Sequence, residues 1–376
     1  MKRIRISALI LCACFVSVAW GQRTGWSEFH RPDMTRSNPY ETTLNVSNVG
    51  SLVLKWSYTT GNQVFSSPAV MNGVVYVGSA DDNVYALDAS TGALLWSYAT
   101  GAQVYGSSPA VANGRVYVGS WDYNMYALNA STGALLWKVA TGYWVDSPPT
   151  VVNRVVYVAS DDANVYALNA ETGRVLWKYL TTPYGYIATS PAVANGAVYV
   201  GDGNGVLYVI SATTGALLWE YQPDDYYIYS SPAVTNGVAY FGVSYGCNCV
   251  YALDASNGTV LWSHETGGGV ASSPAVAGNT VYIGSGDDNV YALNAKTGHE
   301  QWSYTTGGNI RSSPAVANGV VYIGSDDDSL YALDAKTGAK LWSYTTGGEV
   351  ESCPIVTNGM VYVGSDDGKV YAFGLP

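Results

Sequence analysis

The chain has 376 residues, of which 13% are aromatic and only 12% charged. That composition is rich in core-forming side chains and poor in the charge that marks disorder. The formal net charge of −11 gives a surface that repels phosphate backbones, which excludes nucleic acid as a partner.

Residues 1–21 read as a secretory signal peptide. Lys2, Arg3 and Arg5 form a basic start, Ile6 to Trp20 an apolar run, and Ala19-Trp20-Gly21 a small-residue exit. This predicts export to the periplasm or the extracellular space. A rival reading is a lipoprotein anchored through Cys14, since Leu11-Cys12-Ala13-Cys14 loosely fits a lipobox. No other segment approaches membrane length. Without the leader, 14 Lys and Arg face 28 Asp and Glu, a net charge of −14. Cys247, Cys249 and Cys353 remain, too few for a disulfide framework, so the fold must be held by its core.

Residues 22–44 read as an N-terminal extension, and 45–376 as a run of repeats. A lone strand around Leu54–Thr59 comes first. "SSPAV" is then a short strand, and Asn72-Gly73 is the strongest signal for a two-residue hairpin, because both turn residues need φ > 0. "VVYVGS" is the second strand, Ala80-Asp81-Asp82-Asn83 a turn, and "VYALD" the third. Asp88 to Gly92 turn the chain again, and "LLWSYAT" is the fourth strand.

Three markers repeat in one register. Trp stands at 56, 96, 137, 177, 219, 262, 302 and 342, at spacings of 40–43 residues. Pro follows Ser or its equivalent at 68, 109, 149, 191, 232, 274, 314 and 354, and Tyr lies in the second strand at 76, 117, 157, 199, 240, 282, 322 and 362. Four antiparallel strands per unit, with no helix pattern, predict an all-β, eight-bladed β-propeller. The lone first strand should complete a last blade that ends at its third strand, Val370–Phe373, and so close the ring. Blades cannot bury their own faces, so each Trp is expected to lie between neighbours, burying about 150–250 Å².

The repeated Ala-x-Asp-x-x-Thr-Gly-x-x-x-Trp resembles the tryptophan-docking motif of quinoprotein dehydrogenase propellers. It runs over Ala86–Trp96, Ala127–Trp137, Ala167–Trp177, Val209–Trp219, Ala252–Trp262, Ala292–Trp302 and Ala332–Trp342, with an eighth copy split between Ala372 and Trp56. The repeats are similar to the pyrroloquinoline-quinone-like family. That resemblance implies the fold strongly and the function weakly, because the family holds quinone-dependent dehydrogenases and non-catalytic scaffolds such as the lipoprotein of the outer-membrane assembly machinery. The dehydrogenases carry insertions that build a cofactor cage and a calcium site, and often a disulfide between adjacent cysteines. This chain departs from its period by two or three residues at most, and Asn248 separates Cys247 from Cys249.

Other chemistry is sparse. His30, His264 and His299 are too scattered for a metal centre or a general base and read as solvated or edge residues. Acidic turns such as Asp326-Asp327-Asp328 lack calcium-loop spacing and read as turn chemistry. Cys247-Asn248-Cys249 is either a small disulfide or two free thiols. No catalytic or metal residue is assigned.

A specific site must break the symmetry of near-identical blades. The variable slot is the loop entering each first strand, occupied in turn by Phe65, Gly106, Asp146, Ala188, Tyr229, Ala271, Arg311 and Glu351. Aromatics gather on one side. Tyr105, Tyr143, Trp144, Tyr184, Tyr186, Tyr226, Tyr227 and Tyr229 lie in these loops, and Trp121, Tyr123 and Tyr245 in adjacent turns. Arg311, Glu349 and Glu351 lie opposite. Such a face either binds a ligand or packs on itself. The sequence thus predicts an exported, monomeric, non-catalytic propeller that binds a protein, peptide or glycan without a cofactor. Tyr105, Trp121, Tyr143, Trp144, Asp146, Tyr186, Tyr227, Tyr229, Arg311 and Glu351 are the candidate site. The alternative is a dehydrogenase using pyrroloquinoline quinone with calcium at a minimal site.

Overall fold

Hydrophobic alternation and tight turns produce strands that cannot stand alone, and the chain solves this by closing a ring. The computed structural model describes residues 25–182, 185–223 and 227–376. The leader with Cys14, residues 22–24, and Tyr184 and Tyr226 lie outside the described residues. Eight antiparallel sheets form an eight-bladed β-propeller. Blade one holds Ala69–Met71, Val74–Gly78, Asn83–Asp88 and Leu94–Ala99. Blades two to seven span 110–140, 150–180, 192–221, 233–265, 275–305 and 315–345. Blade eight joins Ile355–Thr357, Met360–Ser365 and Lys369–Gly374 to the N-terminal strand Val53–Thr59, which pairs antiparallel with Lys369–Gly374. The ring therefore closes through the split blade expected from the sequence.

Each repeated marker has a structural cause. In blade one the register slips between Ala86 and Leu87, opposite Trp96 and Leu94, and this bulge turns the Trp ring toward the next blade. Trp96 Nε1 donates to the Ala130 carbonyl at 2.9 Å, and the Tyr76 hydroxyl donates to the same oxygen at 3.1 Å. The Trp and Tyr series thus clamp one carbonyl of the following blade. The Thr-Gly of the motif lies on the ring of the preceding blade: Gly92 has φ +72°, and a Cβ there would meet Trp56 at 2.7 Å. No other residue fits that conformation and that gap. At the seam between blades seven and eight, Trp342 Nε1 turns instead to the Leu52 carbonyl. The buried Tyr322 hydroxyl has no hydrogen-bond partner there among the described residues.

The Ser-Pro pairs line the axis. Ser67 N donates to Ser108 Oγ, Ser190 N to Ser231 Oγ, Ser231 N to Ser273 Oγ and Ser273 N to Ser313 Oγ. Ser313 N donates to Cys353 Sγ, and Cys353 N returns to Ser67 Oγ. Pro148 interrupts the belt, where Thr150 Oγ1 donates to the Pro191 carbonyl. Cys353 is a buried free thiol standing in a serine position.

The stretch expected to be an extension is built into the ring. Residues 25–41 make one lap along the inner strands. Trp26 pairs with Val70, and the Ser27 carbonyl accepts from Val111 N. Glu28 Oε2 accepts from Val151 N. Met34 packs with Ala192 and Val234. The Thr35 and Arg36 carbonyls accept from Val276 N and Val316 N, Ser37–Asn38 runs parallel to Ala315–Ala317, and Asn38 Nδ2 donates to the Val356 carbonyl. Arg36 is fully buried, with Nε on the Pro314 carbonyl at 2.9 Å and Nη2 on the Pro354 carbonyl at 3.2 Å. His30, expected to be solvated or at an edge, is a fully buried part of this strap. Burial, then the Arg36 charge, pushes its pKa down to about 3, so it is neutral. His264 and His299 are, as expected, partly and fully exposed.

Candidate functional site

The strap leaves the ring at the hairpin-turn end, where Glu41 Oε2 accepts from Gly359 N and Asn318 Nδ2 donates to the Leu44 carbonyl. The opposite end carries the entry loops. Each is stitched to the second-to-third turn of its own blade, as where Trp121 N donates to the Gln103 carbonyl and Asp161 N to the Trp144 carbonyl. The variable positions therefore share one face, as the alternation of the strands required.

The aromatics of that face form two groups. In blades one to three, Phe65, Tyr105, Trp121, Trp144, Tyr143 and Tyr123 make a ladder with successive centroids 4.0–5.3 Å apart. Trp121 and Trp144 stack at 4.5 Å with planes 14° apart. Trp121 Nε1 and Gly106 N both donate to Asp146 Oδ1, at 2.8 and 2.9 Å, which anchors the ladder to blade three. These rings hold one another. In blades four and five, Tyr186 and Tyr229 share a short hydroxyl contact, Tyr227 stacks on Tyr229 at 5.8 Å, and Tyr245 meets Tyr227 edge-on. Tyr245 is 65% exposed, the most open of the set.

The third feature is an acidic corner in blades seven and eight. Arg311 pairs with Asp326 at 3.5 Å and Glu349 at 3.6 Å, and closely with Glu351. The three carboxylates lie within 4.8 Å of one another around that guanidinium. Burial, with neighbouring carboxylates adding to it, raises Asp366 to about 7, and burial raises Asp326 to about 6. Across the axis burial raises Asp161 to about 7, with the Asp146 charge in support. Lys369 pairs with Asp367 at 2.9 Å in the adjoining turn.

Between the tyrosines and Arg311 lies a notch of about 410 Å³, lined by Tyr229, Ser244, Tyr245, Asn248, Gly269, Ala271, Gly286, Asn309, Ile310 and Arg311. Its floor is blade six. That blade places Gly269 and Ala271 where blade five places Tyr227 and Tyr229, and Gly286 where blade five places Ser244. The candidates Tyr229 and Arg311 line the notch. Tyr105, Trp121, Tyr143, Trp144 and Asp146 lie in the ladder instead, Tyr186 and Tyr227 back up Tyr229, and Glu351 orients Arg311. Sequence reasoning passed over Asn248, Asn309 and the small residues of blade six. Their signal was there as a gap in the aromatic pattern.

A family model described as outer membrane protein assembly factor BamB matches residues 50–105, 100–225, 228–314 and 305–374. The chain belongs to this family. A stretch of 57 residues is 44% identical to the dehydrogenase subunit of the quinone alcohol dehydrogenase of Gluconobacter oxydans (strain 621H), covering 15% of this chain and 8% of that one. A europium-containing methanol dehydrogenase superposes with a TM-score of 0.82 at 18% identity, over 94% of this chain and 98% of the other. BamB from Moraxella catarrhalis superposes with a TM-score of 0.73 at 19% identity, over 86% of this chain and 99% of that one. At such identities the likeness is one of fold, and the propeller hosts both a named assembly factor and enzymes. No helix among the described residues is long and apolar enough to cross a membrane.

Proposed function

We propose that the protein is an exported, non-catalytic binding propeller that takes a glycan in the blade-six notch. The notch itself carries the reading. Tyr229 and Tyr245 offer ring faces for the C–H side of a sugar. Beside them stand Asn248, whose Oδ1 already accepts from Tyr245 N, and Arg311, held by three carboxylates with its remaining N–H groups left for neighbouring hydroxyls. A concave site with an apolar wall and a few fixed polar groups is how small ligands are held. An extended peptide would want an unpaired strand edge, and the strands below the notch are paired.

The quinone alternative gains support from the short match to the alcohol dehydrogenase subunit. The donor set does not suit it. Pyrroloquinoline quinone is a planar tricarboxylate, and this face presents Asp161, Asp326, Glu349, Glu351 and Asp366 against an Arg311 already paired. Trp121 and Trp144 stack directly on each other and leave no ring-wide slot between them.

Glycan-array screening followed by calorimetry tests the reading. Tyr245→Ala is expected to weaken a hit by roughly thirtyfold, the usual effect of truncating an anchor. Capture of Lys- and Arg-rich peptides with no glycan hit would move the site to the acidic corner. Dye-linked alcohol oxidation on adding the quinone and calcium would replace this reading with the dehydrogenase one.

A further inference from the structure

Six blades fasten their second-to-third turn in the same way. Asp81 Oδ2 accepts from its own blade's Tyr85 hydroxyl at 2.7 Å and from Gly61 N in the loop that enters the blade, while Asp81 Oδ1 accepts from Asn83 N at 3.1 Å. Asp122, Asp162, Asp287, Asp327 and Asp367 repeat this with Tyr126, Tyr166, Tyr291, Tyr331 and Tyr371. Each also receives a backbone N–H two residues on, from Asn124, Asn164, Asn289, Ser329 and Lys369. The acidic turns are therefore clasps on the entry loops.

Blade five lacks the carboxylate. Cys247 stands in the aspartate position, four residues before Tyr251, and Cys249 in the position of Asn83. The two are joined as a disulfide, and Cys247 Sγ lies 3.6 Å from the Tyr251 hydroxyl, where the other tyrosines meet their aspartates. A covalent bond takes the place of the Asp-x-Asn hydrogen bonds. The turn it closes is demanding: Tyr245, Gly246 and Asn248 have φ of +70°, +82° and +50°. Besides the disulfide, Tyr245 N donates to Asn248 Oδ1, and Thr266 Oγ1 donates to the Asn248 carbonyl. Cys247 is partly exposed and Cys249 buried.

We infer that Cys247–Cys249 is a redox site, a covalent clasp that a dithiol opens to release the blade-five turn. The thiolate of the dithiol attacks the accessible Cys247 sulfur. The intramolecular S–S bond breaks, a mixed disulfide forms at Cys247, and Cys249 leaves as a thiolate and takes up a proton. The second thiol of the reagent then displaces Cys247, so two electrons pass to the protein and the dithiol leaves as its own disulfide. No aspartate remains to hold the turn, which hydrogen bonds alone must then keep. Closing a loop of three residues is worth roughly tenfold in the opening equilibrium on the chain-entropy relation. The inference is independent of the ligand reading, because its readouts are thiols and local exchange.

The test treats the folded protein without its leader, residues 1–21, which carry Cys12 and Cys14, with dithiothreitol, alkylates it without denaturant, and follows amide exchange by mass spectrometry. Two alkyl groups are expected, at Cys247 and Cys249 and not at buried Cys353, with exchange over residues 244–249 faster by roughly tenfold. The double variant Cys247→Asp/Cys249→Asn, which restores the clasp of the other blades, is expected to keep the melting temperature and to ignore dithiothreitol. The inference is overturned if the pair resists reduction in the folded state, if exchange of the turn is unchanged on reduction, or if the double variant responds as the parent does.

Discussion

The two ends of the axis are built from the same eight blades and treated in opposite ways. At the hairpin-turn end the chain laps over its own inner strands and leaves a cavity of about 470 Å³ beside Glu28, Arg31 and Asn153. The strap gives the inner strands acceptors, buries Trp26, His30 and Arg36, and spends the Arg36 donors on backbone carbonyls. At the entry-loop end the aromatics are half open and blade six leaves a notch of about 410 Å³. Among the described residues both ends keep buried polar atoms without a hydrogen-bond partner, Trp26 Nε1 and Glu28 Oε1 at the strap and Asp161 Oδ1 and Asp366 Oδ1 at the loops. The strap touches all eight blades, and the entry loops carry the side chains in which the blades differ.

The largest effects should come from opening the ring. Trp56→Ala removes the contact that locks the split blade to blade one and is expected to cost on the order of 3–5 kcal/mol in denaturant unfolding. Deleting residues 45–60 also exposes a strand edge and should lower the melting temperature more than any single substitution. A shortened chain that melts like the parent would refute closure through the N-terminal strand.

Next comes the strap. Arg36→Met leaves several buried carbonyls without a donor and is expected to cost roughly 3 kcal/mol. An unchanged midpoint would show that the strap merely covers the channel.

Within the entry-loop end, ladder and notch should separate. Trp144→Ala removes a ring stacked on Trp121 and should cost about 1–2 kcal/mol of stability. Tyr245→Ala, at an open ring, should stay within about 0.5 kcal/mol and act on ligand affinity instead. Equal stability losses would make both groups core.

The smallest effect is electrostatic. Folded Asp366 holds its proton to about 7, against an ordinary 3.8. The unfolded chain gives up that proton first, so stability falls as pH rises between those two values, and Asp161 acts in the same direction. Asp366→Asn should flatten the fall in melting temperature across that window while leaving the acid side of it unmoved.

The repeats made the architecture legible. Trp96, Gly92 and Tyr76 recur because every blade boundary poses the same local problem, so one pattern read eight times gives blade number, strand order and the split closure. The paired aromatics and Arg311 were likewise visible as breaks in that pattern. Tertiary contact alone decided the rest. Residues 25–41 carry no repeat, and their partners, from Val70 to Val356, are scattered through the whole chain, so no local rule could place them or bury His30. Tyr105, Trp121 and Trp144 divided from Tyr229 and Tyr245 only when the blades were set side by side, because stacking depends on distances across blades. The notch is the space left where Gly269, Ala271 and Gly286 offer at most a methyl group to fill it. A sequence names the residues around such a space, and the packing of its neighbours gives it a shape.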